Sequence, residues 1–124
     1  MSWFNRRRKG RPEAIQVPRI RFLGEQDGIP ERDLKKQLVD LFRRDQSIAK
    51  AYLARISYGG DSLAVALCLC SRSDADHGLA EKVGRVFASM FGGDQYLDIV
   101  FLTEAQESEL IAVCRPFFAA NGAG

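Results

Sequence analysis

The chain has 124 residues, enough for one domain with its own hydrophobic core. Hydrophobic residues make up 46%, charged residues 27%, and the net charge is +2, which excludes a disordered chain and names no partner for the domain as a whole. Three cysteines without framework spacing argue against a disulfide-built secreted module, and no apolar run approaches the roughly 18 residues that span a bilayer. The basic N-terminus is followed by no apolar h-region, so it does not read as a secretory signal. A reducing compartment, the cytoplasm of a bacterium, is the expectation.

Residues 1–18 read as a flexible basic tail, punctuated by Gly10, Pro12 and Pro18 and without a periodic apolar face. Its cations, Arg6, Arg7, Arg8, Lys9 and Arg11, leave the remainder slightly acidic when set aside. Trp3 and Phe4 beside them allow three readings: base stacking with phosphate neutralisation, weak attachment to an anionic membrane, or a solvated tail with no dedicated partner.

The domain is expected over 19–118. "RIRFLG" predicts a short strand with Ile20 and Phe22 on one side. Pro30 suits the first turn of a helix, where its missing N–H costs nothing. Leu34, Leu38, Leu41 and Phe42 then form one stripe of a 3.6-residue period. "IAKAYLARISY" and "SLAVALCLC" flank Gly59-Gly60 and predict a hairpin. In its second strand Leu63, Val65, Leu67 and Leu69 face one way, and Ala64, Ala66, Cys68 and Cys70 the other. A strand apolar on both sides is either central and covered twice, or covered once by helices and once by a partner.

Leu79, Val83, Val86, Phe87 and Met90 mark a second helix, stopped by Gly92-Gly93. "YLDIVFL" alternates as a fourth strand, Leu97, Ile99 and Phe101 opposing Tyr96, Asp98, Val100 and Leu102. Thr103 and Gln106 match a capping box for a last short helix, with Leu110, Ile111 and Cys114 on its apolar side and Pro116 limiting it. Residues 119–124 read as a frayed end. The order β-α-β-β-α-β(-α) predicts an α+β, ferredoxin-like fold. Its four-stranded, largely antiparallel sheet would carry two helices on one face and leave the other face open.

Candidate chemistry is sparse. Cys68 and Cys70 point the same way from a strand, whereas zinc sites draw ligands from turns at wider spacing. They read as small apolar filler. His77, the only histidine, sits in a polar loop and makes a poor base for any of the three thiols. Asp74 and Asp76 read as acids favouring a helix N-terminus, with no EF-hand spacing around them. The glycine pairs match no phosphate-loop pattern, and the RNA-recognition aromatic box is absent. The expectation is a non-enzyme without metal or cofactor.

The helix "ERDLKKQLVDLFRRDQSI", the strand "AYLARI" and the closing "CRPFF" together resemble the C-terminal domain of the enhanced serine sensitivity family, the bacterial SseB-type proteins. That resemblance implies no settled activity and no cofactor. Members of the family usually carry another domain ahead of this one.

The functional expectation is an interaction or regulatory module that forms a homodimer through its open sheet face or docks an unidentified protein. Tyr52 and Tyr58 would lie on that face, and Phe117 and Phe118 would either lid the core or mark a contact surface. A small-ligand sensor, for an amino acid, is the alternative. Nucleic-acid or membrane association through the tail is the third reading.

Overall fold

The computed structural model describes residues 5–6, 20–59, 62–72, 77–92 and 95–120. The elements in chain order are β1 (Asn5–Arg6), β2 (Arg21–Glu25), α1 (Ile29–Asp45), β3 (Ile48–Gly59), β4 (Ser62–Ser71), α2 (His77–Phe91), β5 (Gln95–Tyr96), β6 (Asp98–Phe101), α3 (Glu104–Leu110) and β7 (Phe118–Ala119). The main sheet runs β2-β3-β4-β6, with β7 also on β3. It is mixed: β2, β4 and β7 run antiparallel to β3, and β6 runs parallel to β4.

The α+β class stands, but the strand order corrects the ferredoxin-like expectation. In a split βαβ unit the strands joined by the first helix are parallel and take another strand between them. Here β2 and β3 are antiparallel neighbours despite the helix that joins them. The reason lies in the length of β3, which has 12 residues. Glu25 at the end of β2 sits opposite Ala54, so residues 48–53 extend beyond β2. That overshoot is ~20 Å of strand. The 17 residues of α1 span about 25 Å. The helix carries the chain onward past the end of β2 to the far end of the sheet, where β3 turns back. The parallel β4–β6 pair spans the crossover through α2 that parallel strands require.

The edge of β3 that β2 leaves bare is filled by the C-terminal segment. Gln26 N–H donates to the Leu53 carbonyl (2.9 Å), Phe117 N–H to Ala51 (2.9 Å) and Ala120 N–H to Ala49 (2.7 Å). Lys50 and Ala51 pair with Ala119 and Phe118. Ordered pairing thus reaches Ala120, beyond the expected domain end at 118; residues 121–124 lie outside the described residues.

Both faces of the sheet carry a core. Leu34, Leu38, Leu41 and Phe42 of α1 and Leu79, Val83 and Phe87 of α2 pack with Ala51, Leu53, Val65, Leu67 and Leu69. The helical stripes and the alternation of β4 are therefore read correctly from sequence. On the opposite face Phe22, Tyr52, Ala54, Ile56, Ala66 and Cys68 pack with Leu110 of α3 and with Cys114. All of these are buried. The face expected to be open is closed by the chain itself. Alanines 54 and 66 and Cys68 keep that side shallow enough for α3 and the turn after it to settle close.

Capping chemistry follows the expected pattern at both predicted ends. Thr103 Oγ1 accepts from Gln106 N–H (3.1 Å), and Gln106 Oε1 accepts from Thr103 N–H (2.9 Å). Gly92 ends α2 with φ 87°. Helix α3 stops at Leu110, so Ile111 points outward at 56% exposure and does not join the apolar side assigned to it. The strand expected over 96–102 breaks at Leu97. Its first part, β5, pairs with β1 (Asn5↔Tyr96, Arg6↔Gln95), so two residues of the expected tail join a separate two-stranded ribbon. The hairpin tip, the loop with Asp74 and Asp76, and the rest of the tail lie outside the described residues. Among the described residues no helix is long and apolar enough to cross a membrane.

Candidate functional site

Three elements meet where β3 begins: the last turn of α1, the end of β4 and the strand β7. Between them lies a cleft of about 630 Å³ lined by Val39, Phe42, Arg43, Gln46, Ile48, Arg72, Phe117, Phe118, Ala119 and Ala120. Its floor is aromatic. Phe42 is fully buried, and its ring lies 6.4 Å from that of Phe117 and 5.5 Å from that of Phe118, both tilted. Lys35 Nζ stands 6.0 Å from the Phe117 centroid. Phe117 and Phe118 are half-buried, so these two sequence-predicted residues are at once core lid and cleft wall.

The cleft's charge is uniform. Among the described residues no acid lines it, and Arg43 and Arg72 both do. Their backbones are held firmly. Arg43 sits inside α1, and Arg72 N–H donates to the Ser47 carbonyl (2.8 Å) in the α1–β3 turn. Their side chains are exposed, and among the described residues neither guanidinium has an acidic partner. Asp45, two residues beyond Arg43, instead accepts from Ser47 and pairs with Lys82 (3.5 Å). Those hydrogen bonds, Ser47 first, hold the Asp45 carboxyl below its ordinary range. The apolar stripe Leu34, Leu38, Leu41, Phe42 leaves Arg43 off its helix's inner face and says nothing of Arg72; the convergence follows from the overshoot of β3, which local periodicity does not encode.

The other aromatic candidates lie elsewhere. Tyr52 was expected on an exposed face and is instead 1% exposed, because α3 packs over it. Its hydroxyl donates to Glu107 Oε2 (3.0 Å), which also meets Lys50 Nζ at 3.4 Å. Half-buried Tyr58 donates to Asp98 across the sheet. Trp3, Phe4, Arg7, Arg8, Lys9 and Arg11 and the side chain of Arg6 lie outside the described residues.

Around Glu107 the ionisable groups shift together. Burial pushes the Tyr52 hydroxyl far up, and the Glu107 carboxylate adds to this. Burial also raises Glu107, but hydrogen bonds from Tyr52 and Cys70 and the charge of Lys50 outweigh it, leaving a net lowering from 4.5. A depressed carboxyl stabilises the fold above its unfolded-state value, and that contribution is lost as pH falls through the folded-state value. Glu107→Gln should therefore cost about 1 kcal/mol at neutral pH. Urea unfolding at pH 7 and again near pH 3 checks it: the gap between variant and parent should shrink in acid, and an unchanged gap would contradict the assignment.

The thiols behave as buried groups. Burial, then Cys114 and Cys70, pushes Cys68 up to about 12; burial and the Glu107 charge bring Cys70 to about 11, and burial brings Cys114 to about 11. Cys114 points its thiol at the Leu53 carbonyl (3.7 Å). Thiolate is the reactive form, so native-state alkylation at neutral pH should be slow, with Cys68 slowest, and should accelerate sharply in urea. Fast labelling of folded Cys68 or Cys114 would contradict the burial described. Among the described residues no group of three or more His, Cys, Asp or Glu side chains is arranged to hold a metal.

No curated protein and no solved structure matches the chain significantly. The profile of the SseB protein C-terminal domain matches residues 23–119, from β2 through β7, and so takes in every element that builds the cleft. The chain belongs to the SseB C-terminal domain family.

Proposed function

We propose that this chain is a non-enzymatic regulatory module that binds a small molecule in the cleft between α1, β3 and β7. The observation that carries the reading is the cleft itself: about 630 Å³, floored by Phe42, Phe117 and Phe118 and lined by two arginines that have no acidic partner among the described residues. The exposed lining is more polar than apolar: the half-buried rings of Phe117 and Phe118 are available for apolar contact, and the arginines and backbone groups can fix a ligand's orientation. An occupant would touch α1 and β7 together and so pin the C-terminal strand to β3, which is a means of passing occupancy to a partner. The raised thiols, held in the protonated, unreactive form by burial, support a binding role over a catalytic one.

A thermal-shift screen of small metabolites, amino acids among them, on the full chain tests it. A ligand that binds only the native state raises the melting temperature. Ala119→Trp, at an exposed wall position, should abolish the rise while leaving the unliganded melting temperature nearly unchanged. Shifts that persist in that variant, or no shift from any compound, would defeat the reading.

A second reading, homodimerisation, rests on β6, which among the described residues has a strand partner on one side only. It replaces the open face on which self-association was first expected. Light scattering at high concentration decides it, a strict monomer removing the dimer.

A further inference from the structure

Building on that reading of the cleft, we infer that its ligand is a small organic carboxylate with a flat or branched apolar body and no ammonium group. The lining names the charge. Arg43 and Arg72 come from different elements, meet at one cleft and have no acidic partner among the described residues. Neighbouring cations are already committed: Arg32 to Asp27 (3.4 Å), Lys35 to Glu25 and Asp27 (3.5 Å each). Arg44, next to Arg43, donates to the Asp40 carbonyl of its own helix (3.3 Å). Complementing the negative end of α1 accounts for Arg43 and Arg44, both in its last turn, and leaves Arg72, which directly follows β4, unexplained.

Magnitudes favour an anion over a cation here. The C-terminal end of a helix carries about half a negative charge, and two full guanidinium charges exceed it. Guanidinium also matches a carboxylate in shape, two parallel N–H bonds meeting two oxygens. A bare inorganic anion is the poorer fit, since it would leave the half-buried rings of Phe117 and Phe118 uncovered. A free amino acid fits the floor and the arginines but brings an ammonium that no carboxylate among the described lining residues can receive. The group left is a carboxylate on an apolar body.

Titrating the full, nitrogen-15-labelled chain with 3-phenylpropionate, phenylalanine, phenethylamine and inorganic phosphate, followed by two-dimensional NMR, tests the assignment. The first three share a phenyl body and differ in charge. 3-Phenylpropionate should saturate shifts at Phe117, Phe118, Ala119 and Ala120, and bind tighter than the other three. Arg43→Gln and Arg72→Gln, both at exposed positions, should each weaken it by about tenfold. Equal or tighter cleft binding of phenylalanine, phenethylamine or phosphate would overturn the ligand class while leaving the cleft as a binding site. So would 3-phenylpropionate binding that both arginine variants leave intact. Silence of all four probes at these residues would overturn the class and the cleft reading together.

Discussion

Replacing Phe42 with alanine should remove about 3–5 kcal/mol of stability. Phe42 is fully buried on α1, and its ring meets both Phe117 and Phe118. Truncation leaves a void that α1 cannot collapse into, because Leu38, Leu41 and Ile48 are already packed around it. The same change takes away what β7 leans on, so the C-terminal strand should loosen as the core weakens. Small domains have only about 5–15 kcal/mol in total, so this variant should sit near the limit of folding. Urea unfolding measures it. A loss below about 1 kcal/mol, against the usual cost of a buried phenylalanine, would mean that the ring is not in this core. Phe117→Ala, at a half-buried wall position, should cost clearly less.

Gly28→Ala should be the second severe change, at about 2–4 kcal/mol. Gly28 precedes α1 with φ 155° and ψ −178°, a conformation that side chains rarely adopt. A Cβ there would also collide with Oε1 of Glu31. That carboxylate has little room to yield: it is fully buried and accepts from Gln26 Nε2 (2.7 Å), while Oε1 itself has no hydrogen-bond partner among the described residues. A double-mutant cycle with Glu31→Ala separates the two causes. Removing the carboxylate should relieve the collision and leave the backbone strain, about 1–3 kcal/mol. Strict additivity of the two single changes would show that the side chains do not meet.

Much of the local structure is legible in the chain. The stripe Leu34, Leu38, Leu41, Phe42 specifies α1, and the parity of 63–70 correctly divides β4 between two faces. Thr103 and Gln106 announce α3 because a capping box is a local device whose partners lie three residues apart. Strand order is not local. The same succession of elements serves several sheets, and the choice here turns on β3 overshooting β2, a comparison of lengths that no periodicity reports. The closure of the second face was legible only as one of two alternatives. Leu110 and Cys114 lie one helical turn apart, but α3 ends between them, so their joint packing on Ala54 and Cys68 depends on the turn that follows. The cleft is the least visible feature. Phe117 and Phe118 could be singled out as aromatic neighbours; Arg43 and Arg72 become a pair only when α1, β3 and β4 are folded together.

The cleft exists only because the C-terminal segment lies along β3 over the ring of Phe42. A NOESY spectrum of the labelled chain tests this most directly. It should show cross-peaks from the Phe42 ring to the rings of Phe117 and Phe118, together with contacts between Lys50 and Ala119 across the strand pair. Random-coil shifts over 117–120, with none of those cross-peaks in an otherwise folded protein, would contradict the account.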